Sequence, residues 1–286
     1  MEFIDDEEYN INKFNISDIE ENSHILIIGK GKNELCKNIL YNFKHFTSTQ
    51  IISPTERQEI FFSNFIINQL INLKYTDQLI TEFLECQIIK KSKKDGQEKS
   101  IIVMNDCLNN MELSNSKDLG EILFNGKHYD ITYVLTLPVS IQVPPELRGS
   151  FDYVFLFSQN HESSLKMFYK KYASIFPSFR SFSKTFKELT KNRGCMVIKN
   201  RCVHGQDINK TIFYYEEKIN NEYFSMNTLS INNLKNDQSL NNLLEGSDES
   251  ENTKIINYNT VKNNKILFYP FVMVVCFLFI YVTFFR

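Results

Sequence analysis

The chain has 286 residues, with 32 Lys+Arg against 34 Asp+Glu, 42% hydrophobic residues, six Cys and no Trp. A net charge of −2 excludes a highly basic nucleic-acid protein on bulk charge alone. The hydrophobic fraction is too high for a wholly disordered chain, and six scattered Cys make no disulfide framework.

The N-terminus, MEFIDDEEYN, is acidic and lacks an apolar stretch, so it does not read as a signal peptide. Residues 1–22 hold eight acids and Lys13, a net −7. His24–Gly29 is a short apolar run ending in Gly, expected as a strand, and a helical pattern follows with Leu35, Ile39 and Leu40 on one face. Gln50–Ser53 reads as a second strand, stopped by Pro54. Residues 56–72 and 76–90 have helix-like apolar spacing, and a Lys/Gly-rich loop, KSKKDGQEK, leads to a fully apolar strand at Ile101–Met104. A helix around Lys117–Phe124 is expected to end at Asn125-Gly126. Ile131–Leu135 and Tyr153–Phe157 are further apolar strands, joined through Pro144-Pro145. Helices near 161–175 and 179–190 follow, then strands at Cys195–Ile198 and Thr211–Tyr215.

Residues 219–265 are rich in Asn and Ser and show no sustained period, which predicts a disordered tether with a short helix at most near Leu240–Leu244. Ile266–Phe285 is a run of twenty positions without a charge, about the 30 Å of a bilayer core, and is expected as a transmembrane helix. Lys262 and Lys265 precede it and only Arg286 follows, the pattern of a tail-anchored, single-pass membrane protein with its bulk on the cytosolic or an equivalent face. Reducing conditions on that face make Cys36, Cys86, Cys107, Cys195 and Cys202 free thiols, and Cys276 a lipid-facing one. Cys195, Cys202 and His204 fit no zinc spacing, so no metal site is expected there. The domain reading is an acidic segment at 1–22, a globular domain at 23–218, the tether at 219–265 and the span at 266–285. Residues 23–218 carry 26 Lys+Arg and 20 Asp+Glu, so a +6 domain hides inside the near-neutral total. The run Lys90, Lys91, Lys93, Lys94 and Lys99 is compatible with double-stranded DNA contact, but the plainer account is a solvated loop.

Fully apolar strands alternating with amphipathic helices argue for a mostly parallel sheet covered on both faces. Ligands on such sheets sit at the carboxyl ends of strands, which directs attention to Gly29–Asn33, Asn105–Asp106 and the segment after Leu135. Gly29, Lys30, Gly31, Lys32 and Asn33 form a damaged version of the phosphate loop G-x-x-x-x-G-K-[ST]. Gly31-Lys32 fits its GK, but counted from Gly29 the loop is three residues short, roughly 10 Å of chain. Asn33 replaces the hydroxyl residue, and Asn105 is an amide where a carboxylate would hold Mg²⁺ ahead of Asp106.

The blocks NGKHYDITYVLT, PPELRGSFDYVFL and GCMVIKNR, together with Ile51–Glu56, resemble the genome-packaging ATPases of nucleocytoplasmic large DNA viruses, of the FtsK/HerA class. The resemblance runs from about Ile25 to Tyr215. It implies a three-layer α/β P-loop NTPase-like fold of the RecA/ASCE type, to which the sequence adds the C-terminal transmembrane helix. It also implies a ring-forming subunit that handles ATP, Mg²⁺ and double-stranded DNA. By position, Lys32 matches the Walker A lysine, Asn33 its Ser/Thr, and Asn105 and Asp106 the Walker B pair, with Asp106 at the water-polarising place. Arg148 matches an arginine that reaches a neighbouring subunit's nucleotide; read for itself, it is a helix-end surface arginine. Pro138 stands where the family has its γ-phosphate-sensing Gln.

All four departures strike the catalytic apparatus, and one lost charge or donor in such a site typically lowers the rate 10²–10³-fold. The resulting expectation is a membrane-anchored pseudo-ATPase serving as scaffold or accessory subunit in virion assembly and genome packaging. It would sit in a host or virion membrane, its bulk facing cytosol or virion interior, as a homo-oligomer or beside an active paralogue. The alternatives are an active packaging motor subunit and a fold that serves only protein contacts.

Overall fold

The computed structural model describes residues 9–66, 70–92, 98–109, 112, 116–200 and 207–216, all within one compact unit. Its strands are β1 (Asn12–Lys13), β2 (His24–Ile28), β3 (Ser48–Ile52), β4 (Ile71–Asn72), β5 (Ser100–Asn105), β6 (Ile131–Leu137), β7 (Tyr153–Phe157), β8 (Gly194–Lys199) and β9 (Ile212–Glu216). The helices are α1 (Lys32–Asn42), α2 (Glu56–Ser63), α3 (Asp77–Ser92), α4 (Lys117–Asn125), α5 (Pro145–Arg148), α6 (Glu162–Tyr172), α7 (Phe179–Leu189) and α8 (Ile208–Thr211).

The strands form one sheet in the order β1-β9-β8-β7-β2-β6-β5-β3-β4. From β7 through β4 every pairing is parallel, and β8 alone runs against both its neighbours. The apolar strand sequences explain the burial. In β2, Leu26 and Ile28 face one layer while Ile25 and Ile27 face the other, and all four are at most 1% exposed. The same alternation in β5, β6 and β7 gives two cores. Phe83, Leu123, Phe168 and Phe186 fill the side of α3, α4, α6 and α7, and Leu35, Ile39 and Phe62 the side of α1 and α2. This is the three-layer α/β arrangement expected from the sequence, with β6 lying between the two strands that carry the candidate site.

Some local expectations change. The 56–72 helix stops at Ser63, and Ile71–Asn72 pairs instead with Ile51–Ile52, where Ser53 N–H also donates to Asn72 O at 2.8 Å. An edge-strand partner for β3 outweighs helical spacing, because the ladder satisfies backbone groups that water would otherwise have to reach. The acidic N-terminal segment supplies β1, paired with β9, and buries Phe14 and Ile19.

The membrane reading is corrected. Among the described residues no helix is long and apolar enough to cross a membrane. The longest, α3, has 16 residues, about 24 Å, and carries Asp77, Glu82, Glu85, Lys90 and Lys91. The α/β sheet stands as the fold class, and the C-terminal transmembrane helix, the single-pass localisation and the membrane as partner are not supported by any described helix. Ile266–Phe285, the 219–265 tether, Cys202, His204 and Cys276 lie outside the described residues.

Candidate nucleotide site

Three strand ends meet at the carboxyl edge of the sheet. After β2, Gly29 and Gly31 take left-handed backbone angles (φ 119° and 95°), which only glycine adopts without strain. The turn lies against the last residue of β7: a Cβ on Gly29 would stand 2.8 Å from Phe157 Cβ, and one on Gly31 3.1 Å from its ring. Gly29 N–H is already spent on Leu137 O at 3.2 Å. The shortened loop therefore closes onto its neighbours instead of arching into an open ring of amide donors.

Lys32 is the first residue of α1 and only 9% exposed. Its Nζ donates to Asp106 Oδ1 at 2.5 Å. Asp106 is held for this contact by an unusual backbone, φ 51°, fixed where its N–H donates to Thr136 O at 3.2 Å and to Thr136 Oγ1 at 3.1 Å. Beside this pair lies a neutral one. Asn105, fully buried, donates from Nδ2 to Asn33 Oδ1 and to Ser53 Oγ, each at 3.4 Å, and its Oδ1 accepts Thr136 Oγ1–H at 2.7 Å. One amide thus ties together the ends of β3, β5 and β6 and the first turn of α1. A carboxylate could not make the two donations, so the amide is chemically matched to Asn33.

The electrostatics are inward-looking. Glu34, in the first turn of α1, has an Oε2 that is buried with no hydrogen-bond partner. That places a second acid at the helix end that phosphates favour. Cys36, one turn further on, is fully buried; burial pushes its thiol up to about 12, Lys32 opposing and Asp106 adding. It is an inert neutral group.

The residues do not fit Mg²⁺. That ion asks for a near-octahedral set of oxygens, usually with a carboxylate. Here the Asn33 and Asn105 oxygens are engaged in protein hydrogen bonds and the Asp106 carboxylate holds an ammonium.

The structure brings Lys32, Asn33, Asn105 and Asp106 together, with Gly29 and Gly31 shaping the turn and Lys30 exposed beside them. Arg148 is not among them. Its Nε donates to Val143 O at 3.1 Å, and two residues on, Ser150 O meets His24 Nδ1 at the start of β2, the opposite edge of the sheet. Pro138 follows Leu137 next to the loop and offers no side-chain donor. Ser53, Thr136, Phe157 and Gln159 complete the site and were missed in the sequence; Gln159 Nε2 would lie 3.2 Å from a Cβ on Gly29. The available signal was a lone hydroxyl inside an apolar strand (Thr136) or at its end (Ser53).

The lysine run is also resolved in part. Lys90 is 4% exposed and reaches Ser48 and Glu98, Lys91 binds Asp130 at 2.8 Å, and Lys99 pairs with Glu21. These three are paired within the molecule, Lys90 and Lys91 on α3, which is neither a DNA-facing row nor a solvated loop; Lys93 and Lys94 lie outside the described residues.

No family model matches the chain. An uncharacterized protein of Acanthamoeba polyphaga mimivirus is 32% identical over 209 residues, covering 67% of this chain and 74% of the relative. The chain belongs to this family of large-DNA-virus proteins. Another member, an uncharacterized protein of Invertebrate iridescent virus 6, is 25% identical over 225 residues, covering 74% of this chain and 87% of the relative. Among solved structures, the genome packaging NTPase of Sulfolobus turreted icosahedral virus 2, in complex with AMPPCP, is similar. It gives TM-score 0.48 and 11% identity over 70% of this chain and all of that one. EssC (ATPases 2 and 3) from Geobacillus thermodenitrificans gives TM-score 0.42 and 11% identity, covering 83% of this chain and 47% of that one. The resemblance drawn from the sequence thus meets relatives in large DNA viruses.

Proposed function

We propose that the chain is a packaging-ATPase-like subunit of a large DNA virus that does not turn over ATP and serves as a scaffold or accessory subunit in genome packaging and virion assembly. The observation that carries this is the Asn33–Asn105 amide contact beside the Lys32–Asp106 ion pair. Phosphoryl transfer in this fold is positioning plus charge neutralisation, with a metal held between a hydroxyl and a carboxylate. Both of those groups are amides here, and they bind each other. A triphosphate reaching Lys32 has to displace the Asp106 carboxylate, in a loop whose Gly29 donor is already used, so nucleotide affinity is expected to be weak. Its partners would be further copies of itself or an active packaging ATPase, to which Arg148 remains a candidate contribution in trans.

The second reading, a working ATPase, is favoured by one fact: Lys32 and Asp106 stand side by side at the carboxyl edge. The test is Mg²⁺-ATP binding and phosphate release by the full chain, beside Lys32→Ala. The expected result is no turnover above background in either protein. Turnover in the native chain that disappears in Lys32→Ala overturns the proposal.

A further inference from the structure

The +6 of residues 23–218 is not spread over the domain. Between Glu162 and Arg193 stand eight Lys/Arg and two acids, which accounts for the whole excess; the rest of that range is balanced. The structure gives this segment a definite shape. It is the helical pair α6–α7, which leaves the sheet after β7 and returns to it at β8. Phe182 and Phe186 of α7, with Leu165 and Phe168 of α6, anchor the pair in the core.

The opposite face of α7 presents Arg180, Lys184 and Lys187, at spacings of four and three residues, all exposed, and exposed Lys191 follows just past the helix end. At 100° per residue the three helical positions fall within roughly 60° of one another and run for roughly 10 Å along the axis. Arg193 continues beyond the helix, and on α6 Lys170 is exposed as well. The two helices present one surface, because Lys166 of α6 lies over the Phe179 ring of α7 at 5.7 Å. The two acids are taken locally, Glu162 by Lys166 at 2.7 Å and Glu188 by Lys191 at 2.6 Å. Two acids against eight cations leave the segment itself with a net charge of +6.

We propose that the α6–α7 face binds the phosphate backbone of double-stranded DNA. The proposal rests on the packaging-related reading above, and it moves the DNA contact away from the neutralised lysines around Lys90. A straight row of cations matches a polyanion whose charge recurs evenly, about one per 1.7 Å of duplex axis. No aromatic side chain lies on the stripe itself, so it offers no platform on which unpaired bases could stack, as single strands require. Nor does it offer the apolar groups with which an interfacial helix enters lipid, since Phe182 and Phe186 are spent on the core. The contact is therefore electrostatic and sequence-independent.

The experiment measures binding of the full chain to a random-sequence 30-base-pair duplex as a function of KCl, for the native protein and for Lys170→Gln/Arg180→Gln/Lys187→Gln. Lys91→Gln/Lys99→Gln is the control, and circular dichroism checks that all three are folded. Each phosphate contact contributes about −0.9 to the slope of log K against log salt. The triple variant is expected to flatten that slope by about 2 to 3 and to weaken binding about ten-fold or more near 100 mM KCl, while the control stays within about two-fold of native. An unchanged slope in the triple variant overturns the proposal, as does no duplex binding at any salt, or tighter binding to a single strand. Binding to phosphatidylserine vesicles in place of the duplex, lost in the triple variant, also overturns it in favour of a lipid surface. ATP turnover is read separately, so failure of this surface and failure of the non-hydrolysing reading cannot be confused.

Discussion

Two polar regions of this molecule treat charge in opposite ways. At the carboxyl edge, Lys32, Asp106, Asn33 and Asn105 are mostly buried and satisfy one another. On the α6–α7 segment eight cations, most of them exposed, stand beside only two acids of the same segment. A site that works on an external ligand keeps donors and charges uncommitted until the ligand arrives, whereas a polar cluster that only holds a fold spends them internally. By that measure the carboxyl-edge cluster is of the second kind, and the helical pair is the region that keeps charge turned outward.

The largest effect should come from breaking the closed cluster. Asp106→Ala leaves a buried ammonium unpaired and is expected to destabilise the protein by about 3–5 kcal/mol, whereas Lys32→Met/Asp106→Leu removes both charges and should cost far less. Urea unfolding of the three proteins measures this. A single-variant loss below about 1 kcal/mol would mean that the pair opens readily, and the contrast with α6–α7 would collapse.

A smaller effect is expected where pairs are exposed but engaged. The Glu21 carboxyl is held below its ordinary 4.5, chiefly by its hydrogen bond from Lys99 and also by His45. Asp77 is held below 3.8 by the Tyr75 hydroxyl and Ser116. Both folded-state values are depressed, so the stability they add is fully present above pH 4.5 and is lost as the pH falls through the lowered values. Glu21 is about a third exposed, which limits its share to under about 1 kcal/mol. Thermal melting of native protein and Glu21→Gln should differ at pH 6 and converge in acid; a constant gap would point to packing instead.

The smallest effect belongs to the open face. Lys170→Gln/Lys187→Gln should change stability by no more than about 0.5 kcal/mol, since both side chains are exposed and make no core contact. A larger loss in urea would show that these lysines serve the fold, and it would weaken the distinction between the two regions.

Most of the architecture was legible in the chain. The runs around Ile25, Ile101, Tyr133 and Tyr153 are apolar at every position, which is what a strand buried on both faces requires, and their loops ended near the observed sites. The parts not legible were those in which a distant partner decides. Ile71–Asn72 carries helical spacing, yet it became an edge strand because β3 offered a ladder. Phe157 and Thr136 look like ordinary strand residues until the sheet order sets them beside the Gly29 turn and Asp106. The candidate residues Lys32, Asn33, Asn105 and Asp106 were chosen by position in a motif and meet in the structure, whereas Arg148, chosen for a neighbouring subunit's nucleotide, lies apart from this chain's own cluster.

By itself the sequence determined the alternation of strand and helix, the short glycine turn, the amides in place of hydroxyl and carboxylate, and the +6 of the domain, because these are properties of residue type and spacing. Only the tertiary structure decided that Asn33 and Asn105 bind each other, that Lys32 is answered by Asp106, and that Lys90, Lys91 and Lys99 pair with acids while Arg180 and Lys187 stand exposed on one face of α7. Net charge adds along the chain, but pairing depends on which groups the sheet brings within about 3 Å of one another, and that distance has no counterpart in sequence.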